Sequence, residues 1–298
     1  MSPGWTDYNK TIQYQGYDVT GSLQTKNAIG VLLGTGWFSS YVGFSGQYNI
    51  FGWDQNVLFE LHIQYENNKT EIVKSDNTWK VNTGSLIYSD LLMGELYYEN
   101  REVKGWTSPE FDDSHWPSVV TKSIDKKVAL VADRAEPVRV THELSPKTKY
   151  QSKPGVWVFD FEQNMVGWVR ISFPKTYDAS RVQLRHAEVL NPDGSIYTKN
   201  LRSALATDTY VLNKADNSYE ISFEPHFTTH GFRYVEITGY PGEPQLTTIK
   251  GIVMNSDTPF DSHFEMAASE RRHTQRGHEY RVLRLRRPPY VQNGESNQ

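Results

Sequence analysis

The segment GWTDYN, at residues 4–9, combines aromatic and polar groups in the way that a sugar-binding loop does. A sugar needs a flat aromatic face for the apolar side of its ring and a few fixed polar groups for its hydroxyls, because ligand sites are mostly apolar with few convergent polar atoms. We predict that Trp5, Asp7, Tyr8 and Asn9 contribute to such a site. The alternative for Trp5 is a place in the core of a β-sandwich.

A second segment, LGTGWFSS, offers a partner for this loop. Its two glycines allow the backbone to turn tightly ahead of Trp37, so this tryptophan suits the opposite wall of a site at the end of a sandwich. Burial in the core is again the alternative for Trp37.

Asp7 and Asn9 also carry carboxylate and amide oxygens, which are ligands that calcium prefers. We therefore predict a calcium contact at these two residues, with an Asx turn in which Asp7 caps its own backbone as the alternative. His226 and His230 have a spacing that would suggest a metal pair on a helix, but PHFTTHGFRY has the pattern of strand and loop. We expect these two histidines to be structural.

Signatures of common enzymes are missing from the sequence. It contains no G-x-S-x-G elbow, no H-E-x-x-H, no P-loop and no dinucleotide fingerprint, and without cysteine it has no thiolate ligand and no cysteine nucleophile. Two carboxylates flanking the bond are the minimum for ordinary glycoside hydrolysis. By residue type alone, the candidates for such a pair are Asp90, Glu95, Asp160, Glu162 and Glu188.

Strands must position all of these residues. The segment NVLFELHIQYENNKTEIVKSDNTWKV alternates apolar and polar residues around a turn at Asn67 and Asn68, which predicts a hairpin. The segment RVQLRHAEVLNPDGSIYT repeats this pattern around an Asn-Pro-Asp-Gly turn. Since almost no segment shows helical periodicity over three turns, we predict an all-β fold of two antiparallel, jelly-roll-like β-sandwich domains.

The 298 residues are enough for two domains. The stretch at residues 123–154 is rich in charge and holds three prolines, so we place a boundary near residue 140, between domains at 1–140 and 141–268. The last 30 residues, 269–298, contain seven arginines. They suit either a basic arm for nucleic acid or acidic lipid, or a vector-derived extension, and we expect the extension.

The overall charge favours a neutral ligand. A formal charge of −4 and a pI near 6.2 give no basic field, which argues against nucleic acid or an anionic membrane as the main partner. No run of about 18 apolar residues and no signal peptide is readable, so a cytoplasmic and a secreted location both stay open.

Several long strings resemble the non-catalytic β-sandwich region of bacterial α-L-rhamnosidases. PGWTDYNKTIQYQGYDVT, NAIGVLLGTGWF, DLLMGELYYENRE and FDDSHW are similar to the N-terminal domain of that family. GVWVFDFEQNMVGWVRISF, LRHAEVLNPDGSIYTKNLRSALATDTY and FEPHFTTHGFRYVEITGYPGEP are similar to the sandwich that precedes its catalytic domain. The resemblance spans roughly residues 3 to 268.

The resemblance has consequences for function. In the family, further strands come before PGWTDY, and an α-helical toroid with the catalytic carboxylates follows SHFEMA, so we expect an internal fragment that is inactive alone. Some members bind L-rhamnose at a calcium-dependent sandwich site. The resemblance maps this site onto the GWTDYN loop and Trp37, with Asp7 and Asn9 bridging the ion and the sugar hydroxyls.

Three functional hypotheses follow. The first is a carbohydrate-binding, accessory part of an α-L-rhamnosidase, with L-rhamnose or rhamnosides as ligands and calcium as cofactor. The second is hydrolase activity of the chain itself through a carboxylate pair. The third is a structural fragment that forms a homodimer through exposed sheet edges.

Overall fold

A computed structural model describes residues 3–125, 127–216 and 220–258. The part of the chain up to Asp257 forms one compact unit. The arginine-rich tail predicted to be non-native, at 269–298, lies outside the described residues, as does the end of the predicted second domain at 259–268.

The described residues are dominated by strands, and their single α-helix is the short α1, Gly36–Ser39. The eighteen strands are β1 Thr11–Tyr14, β2 Glu60–Gln64, β3 Thr70–Lys74, β4 Leu86–Asp90, β5 Gly94–Tyr98, β6 Ala129–Ala132, β7 Val138–Leu144, β8 Thr148–Lys153, β9 Val156–Phe173, β10 Thr176–Tyr177, β11 Ser180–Ala187, β12 Val189–Leu190, β13 Ile196–Tyr197, β14 Thr207–Leu212, β15 Ala215–Asp216, β16 Ile221–Phe223, β17 His230–Thr238 and β18 Ile249–Ser256. Short 3₁₀ helices lie at Thr20–Ser22, Phe44–Gly46, Glu99–Arg101, Lys199–Leu201 and Leu246–Thr248.

A ten-stranded sheet forms the centre of the fold. Its order is β4-β5-β14-β11-β17-β9-β18-β7, with β8 and β16 also paired to the long strand β9. The pairs are antiparallel except β5 with β14, which run parallel, and outside this sheet β1 and β6 also run parallel. The all-β fold class is therefore confirmed, with two parallel pairs added to the antiparallel pattern.

The alternation of apolar residues along these strands builds the core. On β9, every second residue from Met165 to Phe173 is buried, and on β11 Val182 and Leu184 are buried with polar residues between them. Side chains of a strand alternate between its two faces, so this spacing sends one apolar row inwards. The largest fully buried side chains include Phe159 and Phe232.

Two predicted hairpins are confirmed. Strands β2 and β3 pair antiparallel around a turn in which Asn68 has a φ of 62°. Strands β12 and β13 pair around the predicted Asn-Pro-Asp-Gly turn, where Gly194 has a φ of 81°. Asparagine and glycine tolerate this left-handed backbone better than other residues.

The stretch predicted to connect two domains contains strands. Strand β7 runs across residue 140 and pairs with β18, while β5, from the predicted first domain, pairs with β14 of the predicted second. The division of the chain near residue 140 stays a prediction. No helix among the described residues is long and apolar enough to cross a bilayer.

Candidate functional site

The two tryptophans of the sequence prediction lie against each other. The rings of Trp5 and Trp37 stack with centroids 4.9 Å apart and planes 9° from parallel. Trp5 is 54% exposed, and Trp37 is half-buried. Trp37 stacks on one side of Trp5, while more than half of the surface of Trp5 stays exposed. The pair thus presents aromatic surface to solvent.

Helix α1 fixes the position of Trp37, and strand β4 fixes α1. Thr35, just before the helix, donates two hydrogen bonds to β4, from its backbone N–H to Ser89 Oγ at 3.2 Å and from its hydroxyl to Ser89 O at 2.5 Å. Just after the helix, the backbone N–H of Tyr41 donates to Asp90 Oδ2 at 2.8 Å. Asp90 is 2% exposed, so this buried carboxylate anchors the segment that carries Trp37.

Tyr8, the third aromatic residue of the sequence prediction, is buried, with 8% of its surface exposed. Its ring contacts Phe38 and Phe51, and its hydroxyl donates to Gly4 O at 2.9 Å. Burial raises the pKa of Tyr8 to about 12. The loop and the helix therefore meet twice, through Trp5 on Trp37 and through Tyr8 on Phe38. In this arrangement Tyr8 supports the loop.

Asp7 and Asn9 lie together in the exposed turn after Trp5. The backbone N–H of Asn9 donates to Asp7 Oδ1 at 3.2 Å, which is the Asx turn considered as an alternative. Asp7 Oδ2 lies 3.1 Å from Lys10 Nζ. The contact with Lys10 lowers the pKa of Asp7, so its carboxylate is ionised at neutral pH.

The donor set of this turn fits calcium chemically. An ionised carboxylate and an amide oxygen are calcium ligands, and both side chains are exposed. Calcium takes six to eight oxygens, so water and sugar hydroxyls would have to supply most of them. The ammonium of Lys10 occupies the same carboxylate and would compete with a cation there.

A buried group of polar residues lies elsewhere in the fold, between β11, β14 and β17. His230 Nε2 lies 3.2 Å from Asp208 Oδ2, and the rings of His186 and His230 stack with centroids 4.1 Å apart. Burial alone would raise the pKa of Asp208, but its electrostatic interaction and hydrogen bond with His230 outweigh burial and lower that pKa. Burial lowers the pKa of His186 to about 3.

Glu95 on β5 belongs to the same buried region. Its backbone N–H donates to Asp208 Oδ1 at 3.0 Å, and its Oε1 accepts from the backbone N–H groups of His226 and Phe227. Burial raises the pKa of Glu95 to about 7, although the two backbone hydrogen bonds oppose this shift. Sequence reasoning identified Glu95 and His230 by residue type but missed their association with Asp208 and His186.

The other candidate carboxylates hold structural contacts. Asp160 accepts two hydrogen bonds from Arg233, from Nε at 2.7 Å and from Nη2 at 2.8 Å. Glu188 accepts from Asn164 Nδ2 at 2.9 Å. Glu162 is exposed, has a φ of 60°, and donates its backbone N–H to Asp160 Oδ1 at 2.6 Å.

The fold and the loop site together define a β-sandwich protein that carries its candidate ligand contacts on loops held by rigid sheets. Residues 1–142 match the family described as "Alpha-L-rhamnosidase N-terminal domain", and residues 150–255 match the "Bacterial alpha-L-rhamnosidase concanavalin-like domain". These two matches together cover most of the chain. The chain therefore belongs to the alpha-L-rhamnosidase family through these two domains.

Named relatives agree with this assignment. The chain is 45% identical over 267 residues to an alpha-L-rhamnosidase of Streptomyces avermitilis, covering 89% of this chain and 25% of that protein. It is 36% identical over 269 residues to one of Alteromonas sp. strain LOR, covering 89% of this chain and 28% of the relative. The chain thus spans about a quarter of the length of these relatives.

A solved structure agrees as well. The crystal structure of the Streptomyces avermitilis alpha-L-rhamnosidase complexed with L-rhamnose superposes with a TM-score of 0.77 at 42% identity, covering 87% of this chain and 25% of that one. Because that similarity covers most of the chain, it supports the fold described above.

Proposed function

We propose that this chain is a carbohydrate-binding, accessory part of an alpha-L-rhamnosidase, and that it binds L-rhamnose or rhamnosides through the loop at residues 4–9 and helix α1. The observation that carries the proposal is the exposed stack of Trp5 on Trp37. The sequence predicts both tryptophans for this role. The relative crystallised with L-rhamnose supports the choice of sugar.

The geometry assigns different roles to the two rings. Trp5 offers the open face, on which the apolar side of a sugar ring packs. Trp37 supports Trp5 from behind, and the anchored helix α1 keeps this support rigid, so little side-chain entropy is lost on binding. Asp7 and Asn9 lie in the next turn, where their oxygens reach calcium and, through it or directly, the sugar hydroxyls.

Calorimetric titration of the purified chain with L-rhamnose tests the proposal, run once with calcium and once with chelator. We expect binding in calcium that is lost in chelator. Trp5→Ala is expected to weaken it by at least about tenfold, a loss of about 1.4 kcal/mol, because the contact face disappears. Trp37→Ala is expected to have a similar effect through the lost support.

A matched control is Trp53→Ala. Trp53 is 72% exposed, lies outside the loop and the helix, and has an edge contact with Tyr48. We expect this variant to bind as the unchanged protein does. Absence of any heat with L-rhamnose and with rhamnosides, at millimolar sugar with calcium present, would refute the proposal.

The described carboxylates support hydrolase activity of the chain itself less well than they support sugar binding, because three of the candidates are already held in contacts. Glu95 and Asp90 are buried and bonded to backbone, and Asp160 is paired with Arg233. A sugar would have to displace these contacts to reach them.

A further inference from the structure

Three side chains with metal-binding groups meet in the interior of the ten-stranded sheet. His186 lies on β11, Asp208 on β14 and His230 on β17, which are neighbouring strands. One ligand atom from each lies within 4.8 Å of the other two, and all three residues are buried. We propose that His186, Asp208 and His230 bind a divalent transition-metal ion of the zinc type, at a site separate from the sugar-binding loop.

The tautomer of His186 leaves a ligand atom free. His186 Nδ1 lies 2.9 Å from the backbone carbonyl of Ala206, which only accepts hydrogen bonds, so Nδ1 carries the proton. In a neutral imidazole Nε2 then has an open lone pair. This atom is fully buried and has no hydrogen-bond partner among the residues that the structure describes. A metal-bound histidine typically has this arrangement, with its other nitrogen donating to a carbonyl.

The local charge also favours a dication. Asp208 is 1% exposed and Glu95 is 4% exposed, and the backbone of Glu95 is bonded to the Asp208 carboxylate. The carboxylate of Asp208, taken out of water, needs a compensating charge. A metal cation bound to Asp208 would supply that charge directly.

The distances suit coordination once the two imidazole rings have turned. Ligand atoms of a tetrahedral zinc ion lie about 3.4 Å apart, given zinc–nitrogen bonds of about 2.0–2.1 Å. Asp208 Oδ2 lies 3.2 Å from His230 Nε2 and 3.9 Å from His186 Nε2. The two imidazole planes are 23° from parallel, so coordination by both nitrogens requires the rings to turn out of their stack. The rings of His186 and His230 should therefore change environment when the ion binds.

The test is metal binding during refolding, since the site is enclosed by the sheet. Chelator-treated protein is unfolded in urea, refolded with one to two equivalents of zinc, passed over a desalting column and analysed for metal. We expect about one zinc per chain and a melting temperature that rises with zinc concentration. Cobalt used in the same way should give the visible absorption of a low-symmetry, nitrogen-bound ion.

His186→Asn is the diagnostic variant. The asparagine amide still donates to the carbonyl of Ala206, but no ligand atom replaces Nε2. We expect zinc affinity to fall by more than about 100-fold. Loss of a residue that only hydrogen-bonds to a metal ligand costs about 10–100-fold, so a larger fall identifies His186 as a ligand itself. His226→Asn is the matched control, because His226 is exposed and is not part of the group, and it should retain full binding.

Two results would overturn the proposal. One is unchanged protein that refolds without stoichiometric zinc and melts at the same temperature with and without it. The other is zinc uptake that survives His186→Asn or disappears in His226→Asn, which would assign the ion to the surface. If His186→Asn does not refold, the metal content and cobalt spectrum of the unchanged protein decide the question.

Discussion

Gly94→Ala is expected to destabilise the fold by an amount that the structure allows us to work out. Gly94, the first residue of β5, has a φ of 108°, which side chains of L-residues rarely tolerate. A Cβ atom there would lie 2.1 Å from the backbone oxygen of Thr207 on β14. The substitution therefore combines backbone strain with a collision between two paired strands.

The two effects have separate magnitudes. A strained backbone conformation costs about 1–3 kcal/mol. Relief of the collision moves β5 away from β14 and weakens two hydrogen bonds at this point, Glu95 N–H to Asp208 Oδ1 at 3.0 Å and Thr207 N–H to Met93 O at 2.9 Å, each worth about 1 kcal/mol. We expect a total loss of about 3–5 kcal/mol in the free energy of unfolding. That is a large share of the stability of a typical domain.

Urea unfolding followed by circular dichroism measures this loss. The control is Gly84→Ala, because Gly84 has nothing within 4 Å of the added Cβ and its backbone is not in the left-handed region. We expect Gly84→Ala to unfold within about 0.5 kcal/mol of the unchanged protein. If the two alanine variants unfold at the same urea concentration, β5 does not approach β14 as described, and the reasoning fails.

Two further outcomes are expected. Lys10→Ala should raise the calcium affinity of the Asp7 turn by a few-fold, measured by calorimetry, because the ammonium 3.1 Å from the carboxylate is removed; unchanged affinity would show that calcium does not use Asp7. With chelator present, Glu95→Gln should gain about 3 kcal/mol relative to the unchanged protein between pH 4.5 and pH 8, measured by urea unfolding. The pKa of Glu95 is raised to about 7 in the fold, so the stabilisation from its bound proton is complete below pH 4.5 and is lost as pH rises through 7. A constant difference between the two proteins across this range would contradict it.

The local parts of the fold could be predicted because their signals lie within a few residues of each other. The β2–β3 hairpin follows from alternation around Asn68, and the β12–β13 turn follows from a glycine with positive φ. The parallel pairing of β5 with β14 could not be predicted, since nothing in either strand specifies a partner more than a hundred residues away.

In the candidate site too, the residue types could be predicted from the sequence, but their contacts could not. The chemical types of Trp5 and Tyr8 predicted a sugar-binding loop, but not that one ring faces solvent and the other faces Phe38. Burial decides that difference, and burial depends on the helix at Gly36–Ser39. The His186 and Asp208 pair was missed because three separate strands assemble the buried group, and each residue alone resembles an ordinary strand residue.

The parallel pairing of β5 with β14 has a consequence for synthesis on the ribosome. Glu95 and Asp208, which bond at this junction, are 113 positions apart. At a translation rate of about 5–20 residues per second, about 6–23 seconds pass between the synthesis of Glu95 on β5 and that of Asp208 on β14. During that interval the hairpin of β4 and β5 has an open edge on the side that β14 later covers. Nascent chains of this protein should therefore be clients for chaperones that shield open strand edges until the second half of the sheet arrives.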